Sequence, residues 1–131
     1  MVMRFFDFPR PLVLAHRGGC ALGPENTLAA FDRGMAAGAD GLELDVRLSA
    51  DGVPVVHHDL TLDRTTSASG LVADYTADQL KRVDAAHRFE SGGTYPFRGQ
   101  GVGVPTLEEV LRRYSNARIV VEMKDNVQAM G

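Results

Sequence analysis

Seven side chains in this 131-residue sequence have types and spacings that suit one chemistry. Glu43 and Asp45 stand two residues apart in GLELDV, so in an extended strand they project from the same face, with Leu42, Leu44 and Val46 on the other. Glu122 and Lys124 repeat that spacing in IVVEMK. His16 closes PLVLAH on the same face as Leu14. In VPVVHHD, His58 shares a face with Val56, while His57 opposes it. Three carboxylates brought together repel one another unless something positive lies between them. An all-oxygen set suits one hard divalent cation, Mg²⁺ or Ca²⁺, whereas zinc would recruit the histidines. Histidines left free beside such a cation are suited to general acid and base work. Arg17 offers a planar fork and Lys124 a point charge for phosphate oxygens, and Gly18 and Gly19 let the backbone approach an anion closely. Taken together this is equipment for phosphoryl chemistry. A cation and fixed positive charges neutralise the phosphate, one imidazole activates a nucleophile, and the other protonates the leaving alkoxide.

Singly, each feature has a plainer meaning. A histidine at a strand end is more often structural than catalytic, and Glu-x-Asp on a strand commonly marks the wet face of an antiparallel sheet. That second meaning weakens here because the neighbouring elements are helices and the same polarity recurs strand after strand. Asp51, Asp63 and Asp74 read as turn residues and His87 as solvated, and Tyr95 and Phe97 read as pins for a loop.

The elements that must position these groups follow from periodicity. Residues 11–16 read as a buried strand, and ENTLAAFDRGMAAGAD as a helix carrying Leu28, Phe31 and Met35, capped by Asn26 or Thr27 and stopped near Gly38. Residues 41–49 and 53–59 read as strands around an ADG turn. A weakly periodic, glycine-rich stretch over 60–105 contains one short helix marked by the Thr76–Gln79 capping box. A clearer helix spans 105–114, where Thr106 and Glu109 form a second box, and residues 117–124 are a final strand. Strands alternating with helices predict an α/β fold with a mainly parallel sheet. In such folds the C-terminal strand ends share one rim, and every strand here turns polar at that end.

Composition narrows the partners. With 44% hydrophobic residues, 24% charged residues and a net charge of −3, the chain is an ordinary globular one with no broad basic surface for nucleic acid. No window approaches the roughly 20 apolar residues of a membrane span, and the N-terminus lacks a signal-peptide pattern. Cys20 is the single cysteine, so no internal disulfide forms, in keeping with a reducing cytoplasmic location.

The segments HRGG…PENTLAAF, GADGLELDVRLSADGVPVVHHD, VPTLEEVL and VVEMK, in this order, resemble the glycerophosphodiester phosphodiesterases from about Leu12 to Lys124. The resemblance implies a (β/α)₈ TIM-type barrel, of which residues 1–131 supply the first half as one N-terminal portion, with 60–105 as a small insertion after the third strand. It implies hydrolysis of glycerophosphodiesters to glycerol 3-phosphate and an alcohol. It matches His16 and His58 to the catalytic pair, Glu43, Asp45 and Glu122 to the ligands of one divalent cation, and Arg17 and Lys124 to phosphate-binding positions. It also sets Glu25 near the metal. Half a barrel would expose open strand edges and an uncovered interior. The competing expectation is therefore a non-catalytic phosphate-binding or self-associating module.

Overall fold

The computed structural model describes residues 12–19 and 21–125, so Cys20 and the residues before 12 lie outside the description. Four strands form one sheet: β1 (Leu14–His16), β2 (Gly41–Leu48), β3 (Pro54–Val56) and β4 (Arg118–Met123). The helices are α1 (Leu28–Ala36), α2 (Ala77–Arg82) and α3 (Leu107–Arg113). Strand β2 is central. Gly41 pairs with both Leu14 and Arg118, and Val46 with both Val56 and Met123, so β4 lies along one edge of β2 while β1 and then β3 share the other. Pairs β1–β2 and β2–β4 are parallel, as expected for strands joined through helices.

Strand β3 departs from expectation. It is antiparallel to β2, and it ends at Val56, so His57 and His58 lie beyond it. The physical reason is the connection. Only a tight turn joins the two strands, closed by the Ser49 and Val53 backbones and by Gly52 at φ 76°, whereas a parallel return needs a crossover of a dozen residues or more. The polar end of this strand therefore does not reach the rim by running parallel to its neighbours. The hairpin carries it back over the end of β1 instead, where the His57 N–H donates to the Asp45 carbonyl at 2.9 Å.

Helices α1 and α3 cover one face of the sheet. Ala15, Phe31, Leu42, Leu44, Val46, Val56 and Val110 form the buried cluster between them, and each fully buried large side chain contributes roughly 1.5–3 kcal/mol. Phe31 meets Tyr114 edge to face, with ring centroids 6.0 Å apart. Thr27 caps α1, accepting the Ala30 N–H, and both predicted capping boxes are present, at Thr76–Gln79 and Thr106–Glu109. Asn26, the alternative cap, has another task described below.

The 60–105 stretch is not a loose loop. Leu62, Val72, Leu80, Ala85 and Val104 close around Val55 of β3 as a second buried cluster, with a 3₁₀ turn at Val72–Asp74 beside α2. Its tip is pinned by rings: Phe97 lies 6.0 Å from Phe89 and under Arg33, and Arg98 stacks 3.7 Å from the centre of Tyr95. His87 is half-buried beside Asp84 rather than fully solvated.

Candidate active site

The face of the sheet opposite α1 and α3 carries the polar groups. Residues paired in register share a face, so His16 stands beside Glu43 in one row and Asp45 beside Glu122 in the next. One carboxylate oxygen from each of Glu43, Asp45 and Glu122 falls within 4.8 Å of the others. These separations and the all-oxygen chemistry fit a single hard cation, whose oxygen ligands lie at about 2.1–2.6 Å from it. The three differ sharply in setting: Asp45 is buried, Glu43 half-buried and Glu122 exposed.

Asp45 is 1% exposed, so its charge needs partners. Asn26 supplies them. Its Nδ2 donates to Asp45 Oδ2 at 3.0 Å, and its Oδ1 accepts the Asp45 N–H at 3.4 Å. Asn26 adopts φ 56°, a left-handed conformation that asparagine tolerates better than most residues, and its own N–H donates to the Arg17 carbonyl at 2.8 Å. Lys124 Nζ sits 3.7 Å from Asp45 Oδ1 and donates to Glu122 Oε1 at 3.0 Å. That hydrogen bond is the main reason the Glu122 carboxyl is held below its usual range, helped by the charge of Lys124 and, more weakly, of His58 and Arg17.

The turn after β1 is built for close approach. Arg17, Gly18 and Gly19 have φ of 50°, 82° and 90° in succession. Gly18 has no alternative, because a Cβ there would lie 2.3 Å from the Phe31 ring. The Arg17 N–H donates to Glu43 Oε2 at 3.1 Å, and the Glu43 carboxylate also lies 3.4 Å from His16 Nε2. Arg17 Nε is buried without a hydrogen-bond partner, its nearest ion-pair oxygen being Asp45 Oδ2 at 3.6 Å. Arg17 Nη1 donates to Glu25 Oε2 at 3.3 Å, so the guanidinium is held between two carboxylates. The His16 side chain is 64% exposed and open to an incoming molecule.

His58 is anchored through its other nitrogen. Nδ1 donates to Asp59 Oδ1 at 2.7 Å, which leaves Nε2 for another partner. Arg47 Nε holds the His58 carbonyl at 2.9 Å, and Arg47 is held in turn by Asp125. His57 is buried and pairs with the Thr61 carbonyl at 3.0 Å, and burial pushes its imidazole down toward the neutral form. It is a structural histidine, as its opposite facing implied. Both oxygens of Glu25, which the resemblance set near the metal, are taken by guanidinium groups: Arg64 holds one and shares the other with Arg17.

The structure thus brings His16, Arg17, Glu43, Asp45, Glu122 and Lys124 together through direct contacts, while His58 is held by Asp59 and, through its carbonyl, by Arg47. Sequence reasoning missed the supporting groups Asn26, Asp59 and Arg64. The Asn26 signal was present in its position within a turn, where a left-handed residue is needed. Asp59 was visible as the neighbour of His58. Arg64 gave no signal, because a charge in an irregular segment does not announce its partner.

The chain is similar to known proteins in sequence and in fold. The family model for the glycerophosphoryl diester phosphodiesterase family matches residues 16–130. A glycerophosphodiester phosphodiesterase of Caldanaerobacter subterraneus is 44% identical over 115 residues, covering 88% of this chain and 45% of the relative. A solved glycerophosphoryl diester phosphodiesterase domain from Mycobacterium tuberculosis superposes with a TM-score of 0.83 at 33% identity, over 92% of this chain and 46% of that one. A phosphodiesterase of Oleispira antarctica, solved with the product sn-glycerol-3-phosphate, superposes at 0.78 with 37% identity, over 90% of this chain and 46% of that one. The chain spans a little under half the length of these relatives. On the family match and these identities, the chain belongs to the glycerophosphoryl diester phosphodiesterase family.

Proposed function

We propose that the protein hydrolyses glycerophosphodiesters to glycerol 3-phosphate and an alcohol at the rim formed by β1, β2 and β4. The observation that carries this reading is the carboxylate trio Glu43–Asp45–Glu122 flanked by His16, Arg17 and Lys124. The trio would hold one divalent cation, Mg²⁺ or Ca²⁺, which when bound supplies Lewis-acid neutralisation of the phosphate.

The chain's own residues do the rest. Arg17 offers its guanidinium charge to a phosphate oxygen, and Lys124, held near the carboxylates, contributes a second fixed charge. His16 and His58 divide the proton transfers, one accepting a proton from the attacking oxygen and the other delivering one to the leaving alkoxide. His58 is prepared for this by Asp59, which fixes the Nδ1–H tautomer. The attacking oxygen belongs either to water or to the substrate's own glycerol hydroxyl, through a cyclic phosphate. The Oleispira relative, solved with sn-glycerol-3-phosphate, supports the product assignment.

In this reading residues 1–131 are the N-terminal part of one barrel domain, with 60–105 as an insertion within it, and the protein works in the cytoplasm. Among the described residues no helix is long and apolar enough to cross a membrane. A second reading, self-association through the sheet, is favoured by Val120, Val121 and Met123 of β4, which are exposed although apolar. Light scattering across a concentration series separates the two, since turnover by a stable monomer counts against self-association as the function. For the enzymatic reading, His16→Ala and His58→Ala are each expected to lower kcat for glycerophosphocholine by about 100-fold or more. Wild-type rates in both variants would refute it.

A further inference from the structure

Arg64 lies outside the seven residues that define the site, yet its guanidinium binds the two carboxylates that hold His58 and Arg17. Nε and Nη2 donate to Asp59 Oδ2 and Oδ1 at 2.8 and 3.0 Å. Nη1 and Nη2 donate to Glu25 Oε1 and Oε2 at 2.8 and 2.9 Å. Each carboxylate carries a second partner: Asp59 Oδ1 accepts from His58 Nδ1 at 2.7 Å, and Glu25 Oε2 from Arg17 Nη1 at 3.3 Å. A continuous chain His58–Asp59–Arg64–Glu25–Arg17 results. We propose that Arg64 is a positioning residue that sets the proton-transfer arm (His58) and the phosphate-gripping arm (Arg17) in one fixed relation. This rests on the reading that those two residues act on a phosphodiester.

The argument is geometric. A guanidinium is a rigid plane with donors on two edges, and here both edges are used in bidentate fashion. The spacing of Asp59 and Glu25 is therefore dictated by one planar group. A lysine would keep the charge and lose the plane. Arg64 is half exposed while Glu25 and Asp59 are mostly covered, so a stability effect has to be read separately from a kinetic one. The resulting order is useful only where a displacement of about 1 Å is costly, as it is between an acid–base group and the phosphate it serves.

The test has two arms on the intact protein. In the first, nitrogen NMR of the His58 ring reads the tautomer without any substrate. The expected signature is a protonated Nδ1 in the wild type and the mixed tautomer of a free imidazole in both Arg64→Ala and Arg64→Lys. An unchanged His58 signature in both variants overturns the proposal. In the second arm, glycerophosphocholine turnover is measured alongside melting temperature, with Arg112→Ala as a surface control. Both Arg64 variants are expected to lose about 10- to 100-fold in kcat, with a raised KM from the loosened Arg17. Ethylguanidinium should restore part of the loss in Arg64→Ala, and ethylammonium should not. Wild-type kinetics in Arg64→Lys, or equal rescue by the two cations, would overturn the proposal. Absence of turnover in the wild type would remove the phosphodiesterase reading, while the NMR arm still decides the role of Arg64.

Discussion

Gly34→Ala is a sensitive test of how α1 serves the site. Gly34 lies inside α1, where alanine is normally favoured by about 1 kcal/mol. Here an added Cβ would lie 2.6 Å from the Gly18 carbonyl oxygen and 2.9 Å from Ala15 Cβ. Carbon contacts settle at about 3.5–4.0 Å, so helix and turn must part by roughly 0.5–1 Å. Gly18 cannot yield freely, since its N–H is bonded to the Ala15 carbonyl at 3.0 Å and its φ is 82°. Overpacking of this kind costs about 1–3 kcal/mol, which outweighs the helical gain and leaves a net loss of up to about 2 kcal/mol. Arg17 precedes Gly18, so the displacement passes to the residue whose N–H fastens Glu43 at 3.1 Å. A shift of that size costs about 10- to 100-fold in kcat/KM. Thermal melting and glycerophosphocholine turnover check both halves. Gly38→Ala is the control, because Gly38 has φ 99° and open space around it; it should lose stability to backbone strain and keep its kcat/KM. A Gly34→Ala protein as stable as the wild type with kcat/KM within twofold would refute the reasoning.

Two further outcomes are expected. Asn26→Ala removes both hydrogen bonds to the buried Asp45 and places alanine at φ 56°; it should lower divalent-cation affinity by about 10- to 100-fold in calorimetry and cost about 1–3 kcal/mol of stability. Asp32 ties α1 to Arg113 and Tyr114 at the end of α3, and the Arg113 hydrogen bond is the first cause holding its carboxyl below the usual range. Its folded-state pKa is depressed, so its contribution is present above about pH 4 and is lost as the pH falls below that. The melting-temperature gap between wild type and Asp32→Asn should therefore be open at pH 7 and close as the pH falls toward 3, with a size of about 1 kcal/mol or less because the pair is exposed.

Much of this arrangement is legible in the sequence because it rests on short-range rules. The two-residue spacing of Glu43 and Asp45 places both on one face of any extended strand, and the parallel register then aligns Asp45 with Glu122. Thr76 and Thr106 announce helix starts because a capping box is a local contract between residues three apart. The errors have equally physical origins. Alternation identifies a strand but carries no direction, so the expectation of a mainly parallel sheet does not extend to β3, whose short ADG turn permits only an antiparallel return. Local sequence marks Asn26 only as a candidate helix cap, because its link to Asp45 spans 19 positions. The bidentate grip of Arg64 on Glu25 spans 39, and no periodicity reports a contact of that kind.

The central claim is that the carboxylate trio works through one bound divalent cation to cleave a phosphodiester. Its most direct test is glycerol 3-phosphate release from glycerophosphocholine by protein stripped with chelator, before and after Mg²⁺ or Ca²⁺ is restored. The account predicts loss of activity on stripping, recovery with one of the two cations, and no recovery in Asp45→Asn. An undiminished rate in the stripped protein would contradict it.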